Sequence, residues 1–364
     1  MRPLLLSFFL FNFLLVFSQE KVKTHSFVDA NYYKGFISLH NNDILHLITD
    51  RPDGVVLSWN KKTFGDKEWE HQYGYPDYGA SFTYMNLKNT ALGENYSLGV
   101  HYNFYFFNRL LMFRLSQGVA YVTKPYDRID NPKGISFGSK YVSNSSMFLN
   151  LKKERLFGRF GLQGGLAYIH YSNANFKEPN GSVNLFSINL GLTYNLNAED
   201  RDFIDSKLKE KITEPVKFNF LFSSGVNHGE TVGSGQSPFY IVAAYADKRL
   251  SRVSGIHLGA EIFFSNYMKE LIAYNAAAYP ELNEDGTADY KRVGLFVGHE
   301  LFVNKLSFIG QIGYYVYYPY DYTGRTYFRV GLKRYFHKKW FAAINLKTHS
   351  FSAEAVEFGF GLRI

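Results

Sequence analysis

The amino-acid sequence predicts an all-β chain that crosses a membrane as an antiparallel barrel of about 14 to 16 strands, and three observations predict it. Segments of about ten to fourteen residues keep one parity apolar and the other polar or glycine, which is the pattern of strands with a lipid face and an inner face. After residue 18 no apolar run approaches the roughly 18 to 20 residues a spanning helix needs, and a closed barrel is the other structure that satisfies its backbone in lipid. The composition joins 18% aromatic residues and 31 glycines to a mean hydropathy of −0.22, a mixture foreign to most soluble enzymes.

The elements follow in chain order. Met1-Arg2-Pro3, the apolar run Leu4 to Phe17 and the small residue Ser18 read as a secretory signal peptide, residues 1–18, so the mature chain is expected to start near Gln19 and to leave the cytoplasm. With no cysteine, the chain is neither a disulfide scaffold nor a lipoprotein anchored through one. A first half, 19–197, carries strands near 32–41, 54–63, 77–88, 94–107, 110–123, 142–153, 156–172 and 183–197. The polar stretch 198–215 breaks the alternation as a long connection. A second half, 216–364, carries strands near 216–228, 237–249, 253–267, 291–303, 305–318, 324–336, 338–349 and 354–364.

Connections fix the orientation, because outer-membrane barrels turn tightly on the periplasmic side and loop outward on the other. Asn108-Arg109, Glu154-Arg155, Asn304-Lys305 and the stretch around His337 read as tight turns, and 124–141, 173–182 and 268–290 as outer loops. Tyrosines crowd strand ends, as in "YYVYYPYDY" from Tyr314, where an aromatic girdle sits. "RLLMFRLSQGVAYVTKPYD" echoes "KLSFIGQIGYYVYYPYD", so the chain reads as two weakly similar eight-strand halves that could close as one large barrel. The net charge of +8 comes from scattered basic residues and reads as a solvated surface, with no nucleic-acid partner.

One constellation carries chemistry. Alternate residues of a strand share a face with Cβ atoms about 6 to 7 Å apart, a gap an imidazole bridges, so His170 as general base and Ser172 as nucleophile fit the end of an outward apolar parity. Asn184, on the same parity across the loop, would fix the ring, as a third group must. Glu178 is the alternative acid, with Glu70 and Asp127 less suited. Asn173 and Asn180 are oxyanion candidates in a loop rich in backbone N–H groups, and Lys177 could meet a lipid phosphate. In the second half His349 lies on the polar parity with Phe351 where a nucleophile would align, which makes it structural, paired with Glu357. His71, His101, His228 and His299 show no metal-ligand spacing, so no metal is expected.

"HYSNANFKEPN" resembles the active-site motif of the PagL-type lipid A 3-O-deacylases. "TFGDKEWEHQYGYPDYGASFTY" and "YVTKPYDRIDNPKGISFGS" resemble the longer acyloxyacyl hydrolases of Bacteroidetes-type bacteria, and the likeness is most specific over 54–196. By motif position His170 and Ser172 match the family's base and nucleophile, while its glutamate falls on Asn184. The resemblance implies an outer-membrane ester hydrolase that takes an acyl chain from lipid A of lipopolysaccharide, with no organic cofactor. Homodimerisation stays open. The acyl chain would lie against Phe160, Leu166, Tyr168, Phe186 and Ile188, so no water-filled pocket is required. The triad ending in asparagine also resembles outer-membrane phospholipase A, for which calcium would be the cofactor. A non-catalytic barrel, pore or scaffold is the third reading.

Overall fold

The computed structural model describes residues 24–364 apart from 41, 200, 205–211, 213, 230–233, 304, 338 and 351, so the expected signal peptide lies outside the described residues. Among the described residues sixteen antiparallel strands are present. Eight form one closed barrel: β1 (Ser26–Ile37), β2 (Asp53–Lys61), β3 (Asp77–Asn86), β4 (Glu94–Phe106), β5 (Leu111–Val122), β6 (Tyr141–Phe157), β7 (Phe160–Ser172) and β8 (Val183–Asn195). Eight form a second: β9 (Lys217–His228), β10 (Gln236–Arg249), β11 (Ser254–Ser265), β12 (Arg292–Val303), β13 (Leu306–Tyr317), β14 (Thr326–Phe336), β15 (Trp340–His349) and β16 (Ser352–Arg363).

The expectation of one large barrel is therefore corrected: the chain closes twice. β8 returns to β1 from Phe27↔Asn195 to Ile37↔Leu185, and β16 returns to β9 from Phe358↔Ser224 to Arg363↔Asn219. The inward side chains supply the reason. An eight-strand barrel is narrow enough for side chains to fill, whereas sixteen strands enclose a water channel. In the first barrel Arg114 reaches across the interior to Asp29 at 2.8 Å, with Ser58 and Asn103 as further partners, and is 1% exposed. In the second, Arg329 lies between Glu261 at 2.9 Å and Glu357 at 2.7 Å, and Lys333 pairs with Glu300. These ions are matched within each half, and a wide channel would separate them.

Several local expectations shift. The first strand begins at Ser26 rather than near 32, since Val28, Ala30, Tyr32, Lys34 and Phe36 keep one parity and Asp29 and Asn31 point into the polar interior. The turn expected at Glu154-Arg155 lies inside β6, which is irregular between Lys153 and Phe157 and turns at Gly158 (φ +60°). At Asn108-Arg109 the tight turn is present, inside the four-residue connection 107–110, where Phe107, Asn108 and Arg109 are all left-handed, with φ +53°, +53° and +67°. The outer connection after β11 contains a helix, α2 (Asn266–Ala278), which buries Ile272 and packs Tyr267, Met268 and Leu271 against Phe239, Phe263 and Tyr315 at the barrel mouth. That helix splits the expected girdle: Tyr314 and Tyr317 face outward, while Tyr315 and Tyr318 are buried beneath it. His349 is inside the second barrel but pairs with Glu354 at 2.6 Å rather than with Glu357, which Arg329 occupies.

The upper interior of the first barrel is apolar, packed by Tyr33, Met85, Phe148, Ile169 and Leu185 and capped by Ile44, Leu47 and Phe137 from the outer connections. Below, α1 (Glu68–Gln72) lies in the connection from β2 to β3. Part of the 198–215 connection docks beside it, with Ile204 N–H donating to Phe64 O at 2.8 Å and the Phe203 ring 4.6 Å from that of Tyr75. The barrels touch at both ends: Tyr73 OH donates to Phe302 O on the periplasmic side, and Gln236 donates to Phe176 O on the outer side.

Candidate active site

The outer end of the β7–β8 hairpin gathers the predicted residues. Pairing sets Tyr168 opposite Phe186, His170 opposite Asn184 and Ser172 opposite Ser143 on the other neighbour. The even parity of β7 and β8 faces lipid, with Phe160, Leu166, Phe186 and Ile188 from 46% to 68% exposed. Tyr168 is half-buried, its ring 5.0 Å from that of Phe186. The expected acyl-contact residues thus share one outer wall below the histidine.

His170 Nδ1 lies 2.5 Å from Asn184 Oδ1, which also accepts from Tyr168 OH at 2.9 Å. An amide oxygen only accepts, so the proton of the neutral ring sits on Nδ1 and the Nε2 lone pair is left as the base. Ser172 is 6% exposed and its hydroxyl is engaged by the loop: Asn180 Nδ2 donates to it at 3.1 Å, Ala174 N–H donates at 2.9 Å, and Asn180 Oδ1 stands 3.2 Å away. Among the described residues the hydroxyl has no hydrogen bond to His170, two residues back on the same strand. It must turn from Asn180 to meet Nε2, a change of the kind that separates resting from reacting geometry.

The remaining candidates divide. Asn180 lies on the serine, with its Oδ1 accepting from Asn173 N–H at 3.1 Å. Asn173 turns its amide to Lys177 O, so only its backbone N–H joins the serine end. Glu178 accepts from Asn180 N–H at 2.8 Å and steadies the loop, while the ring nitrogen that an acid would hold is on Asn184. Asp127 is capped within its own turn: N–H groups of Asp130 and Ile129 hold its carboxyl below the usual range. Glu70 binds Gly65 N–H at the periplasmic end, the wrong side for this site. Lys177 is exposed on the loop crest.

Two residues at this rim escape sequence reading. His40, beyond β1, bonds Ser182 Oγ at 2.8 Å, and His228, at the end of β9, bonds Glu178 N–H at 3.3 Å. Only barrel closure brings the first there and only barrel contact the second, so neither leaves a local signal.

Residues 53–193 match the family model of lipid A 3-O-deacylase (PagL), and residues 216–364 match that of the acyloxyacyl hydrolase C-terminal domain. The chain belongs to the PagL-type lipid A deacylase family. The family's two models divide it as the barrels do, one within the first and one over the second. Membership makes this a hydrolase family barrel of the outer membrane with lipid A as the family's substrate. Among curated proteins, no sequence matches it. Solved structures that align with it include the Acinetobacter baumannii outer membrane protein Omp33, at 8% identity, 94% of this chain, 98% of that one and TM-score 0.18. Pseudomonas aeruginosa OccK5 (OpdH) aligns at 8% identity over 94% and 97%, TM-score 0.22, and a mutant Rh. blastica porin at 8% over 94% and 99%, TM-score 0.19.

Proposed function

We propose that this chain is a serine esterase that removes one fatty acyl chain from lipid A in the outer leaflet, with Ser172 as nucleophile, His170 as base and Asn184 as the group that orients the ring. The observation that carries the reading is the 2.5 Å contact of His170 Nδ1 with Asn184 Oδ1 on the lipid-facing wall, which leaves Nε2 basic two residues from a serine. Ser172 Oγ attacks the ester carbonyl as His170 Nε2 takes its proton. The tetrahedral oxyanion is met by N–H groups already at the serine, those of Ala174 and the Asn180 amide, with Asn173 N–H beside them. Collapse expels the ester's alkoxide oxygen, which takes the proton from His170 Nε2 and leaves as an alcohol, and the acyl group stays on Ser172. Water then attacks with the same base, so that one ester and one water become one fatty acid and one alcohol. The acyl chain lies in lipid against Leu166, Tyr168, Phe186 and Ile188, and no organic cofactor enters the scheme.

The test is mass spectrometry of lipid A from cells expressing the protein. Ser172→Ala and His170→Ala should each abolish the loss of an acyl mass while the barrels keep their heat-modifiable mobility. An unchanged deacylation pattern in either variant defeats the triad. Because the third member is an amide, a phospholipase is the one rival that the geometry favours: calcium-dependent cleavage of phosphatidylethanolamine with lipid A untouched would establish it instead.

A further inference from the structure

Resting on the reading of Ser172 as the nucleophile, we propose that the second barrel holds the serine loop in its working shape, and that His228 is the positioning residue through which it does so.

The loop after Ser172 is not braced by its own barrel alone. β9 and β10 present His228 and Gln236 directly opposite each other at their outer ends, and both point to it. His228 N–H donates to Asn175 O at 2.9 Å, Gln236 Nε2 donates to Phe176 O at 2.6 Å, and Glu178 N–H donates to His228 Nδ1 at 3.3 Å. The tautomer is fixed by the other ring nitrogen: Nε2 stands 2.7 Å from Ser234 O, and a carbonyl only accepts, so Nε2 carries the hydrogen and Nδ1 is the acceptor.

From that ring a chain of bonds leads to the nucleophile. Glu178 Oε2 accepts from Asn180 N–H at 2.8 Å, and the Asn180 amide holds the Ser172 hydroxyl. The backbone needs such help. Ala174 and Asn175 are both in the left-handed region, with φ +51° and +60°, a conformation that alanine avoids without external support. The carbonyl of the second of these residues is the one His228 N–H binds. A strained turn pinned at its crest by a separate barrel is a loop whose shape that barrel sets.

The experiment compares His228→Leu with His228→Asn. Asparagine places an acceptor oxygen near the Nδ1 position and keeps the backbone donor, while leucine removes the acceptor that His228 offers to Glu178 N–H. Two readouts on the full-length protein in outer-membrane-like bilayers decide it: hydrogen exchange of the amides of residues 173–182, and steady-state hydrolysis of lipid A. His228→Leu is expected to speed loop exchange and lower kcat about tenfold with KM little changed, and His228→Asn to restore both, the size following from the loss of one orienting hydrogen bond. Gln236→Ala, at an exposed rim position, should move both readouts the same way and serves if the leucine variant does not fold. Wild-type loop exchange, or wild-type kcat, in both His228→Leu and Gln236→Ala overturns this proposal alone. Acyl release by Ser172→Ala overturns the serine reading, and this proposal with it.

Discussion

At the residue scale, the unusual member of the site is the amide. Asn184 fixes the histidine tautomer as a carboxylate does, but it offers no charge to the imidazolium that forms when His170 takes the proton. Asn184→Asp should therefore raise kcat for acyl release, whereas Asn184→Leu, which removes the ring's partner at Nδ1, should lower it by about 10²-fold, the lower range for a lost acid–base contribution. A kcat lower in Asn184→Asp than in the wild type would show that placing a charge on this lipid-facing wall costs more than it returns to the imidazolium. The pair His170 and Asn184 was legible from sequence, because period-two alternation carried both to the outward parity at the facing ends of consecutive strands. The partner of Ser172 was legible only as a loop asparagine. Residues 173–182 have no period, so nothing in their order says that Asn180 rather than His170 holds the hydroxyl at rest, or that Glu178 faces Asn180.

At the scale of elements, strands declare themselves through alternation and the helices do not, although Tyr267, Met268, Leu271 and Ile272 already repeat at three- and four-residue spacing. That signal is brief and lies in a stretch where a loop was required by topology. The first strand was misplaced for a related reason: its inner parity holds Asp29 and Asn31, and charged residues near a strand start read as a loop until Arg114 is seen to face them. The two walls of each strand then answer differently to substitution. Arg114→Leu leaves Asp29 buried without its cation and should cost the first barrel about 3 to 5 kcal/mol, read as a lowered urea midpoint for refolding into detergent or lipid. Leu190→Arg, at a 62% exposed outer position in mid-strand, should cost about 2 to 4 kcal/mol in a bilayer. It should cost little in a detergent whose micelle lets the side chain reach water. A penalty that is equal in both media would mean that this wall does not face hydrocarbon.

At the scale of the whole molecule, each half closes its own strand ladder and pairs its own interior ions, and that self-sufficiency is what the repeat in the sequence could not show. A repeat of eight strands is compatible with one ring or two; the choice is made by whether the last strand of a half finds its own first strand or the next half's. Here the interior charges decide, since Arg114 with Asp29 and Arg329 with Glu261 and Glu357 meet only across a narrow lumen. Filled interiors make a strong statement about transport: purified protein in a planar bilayer should show no conductance steps of porin size, and such steps would restore a sixteen-strand channel. Covalent continuity should matter just as little for closure. A chain carrying a protease site after Ala198, cut once folded in the membrane, should keep both halves heat-modifiable, because among the described residues no strand pairs across the two halves. The halves should also remain associated at moderate salt, held by Tyr73 to Phe302 on one side and by the His228 and Gln236 contacts on the other. Loss of heat modifiability on cutting would mean that strands of one half complete the other, whereas dissociation with both halves still closed would mean that the linker, and not the contacts, keeps the second barrel against the serine loop.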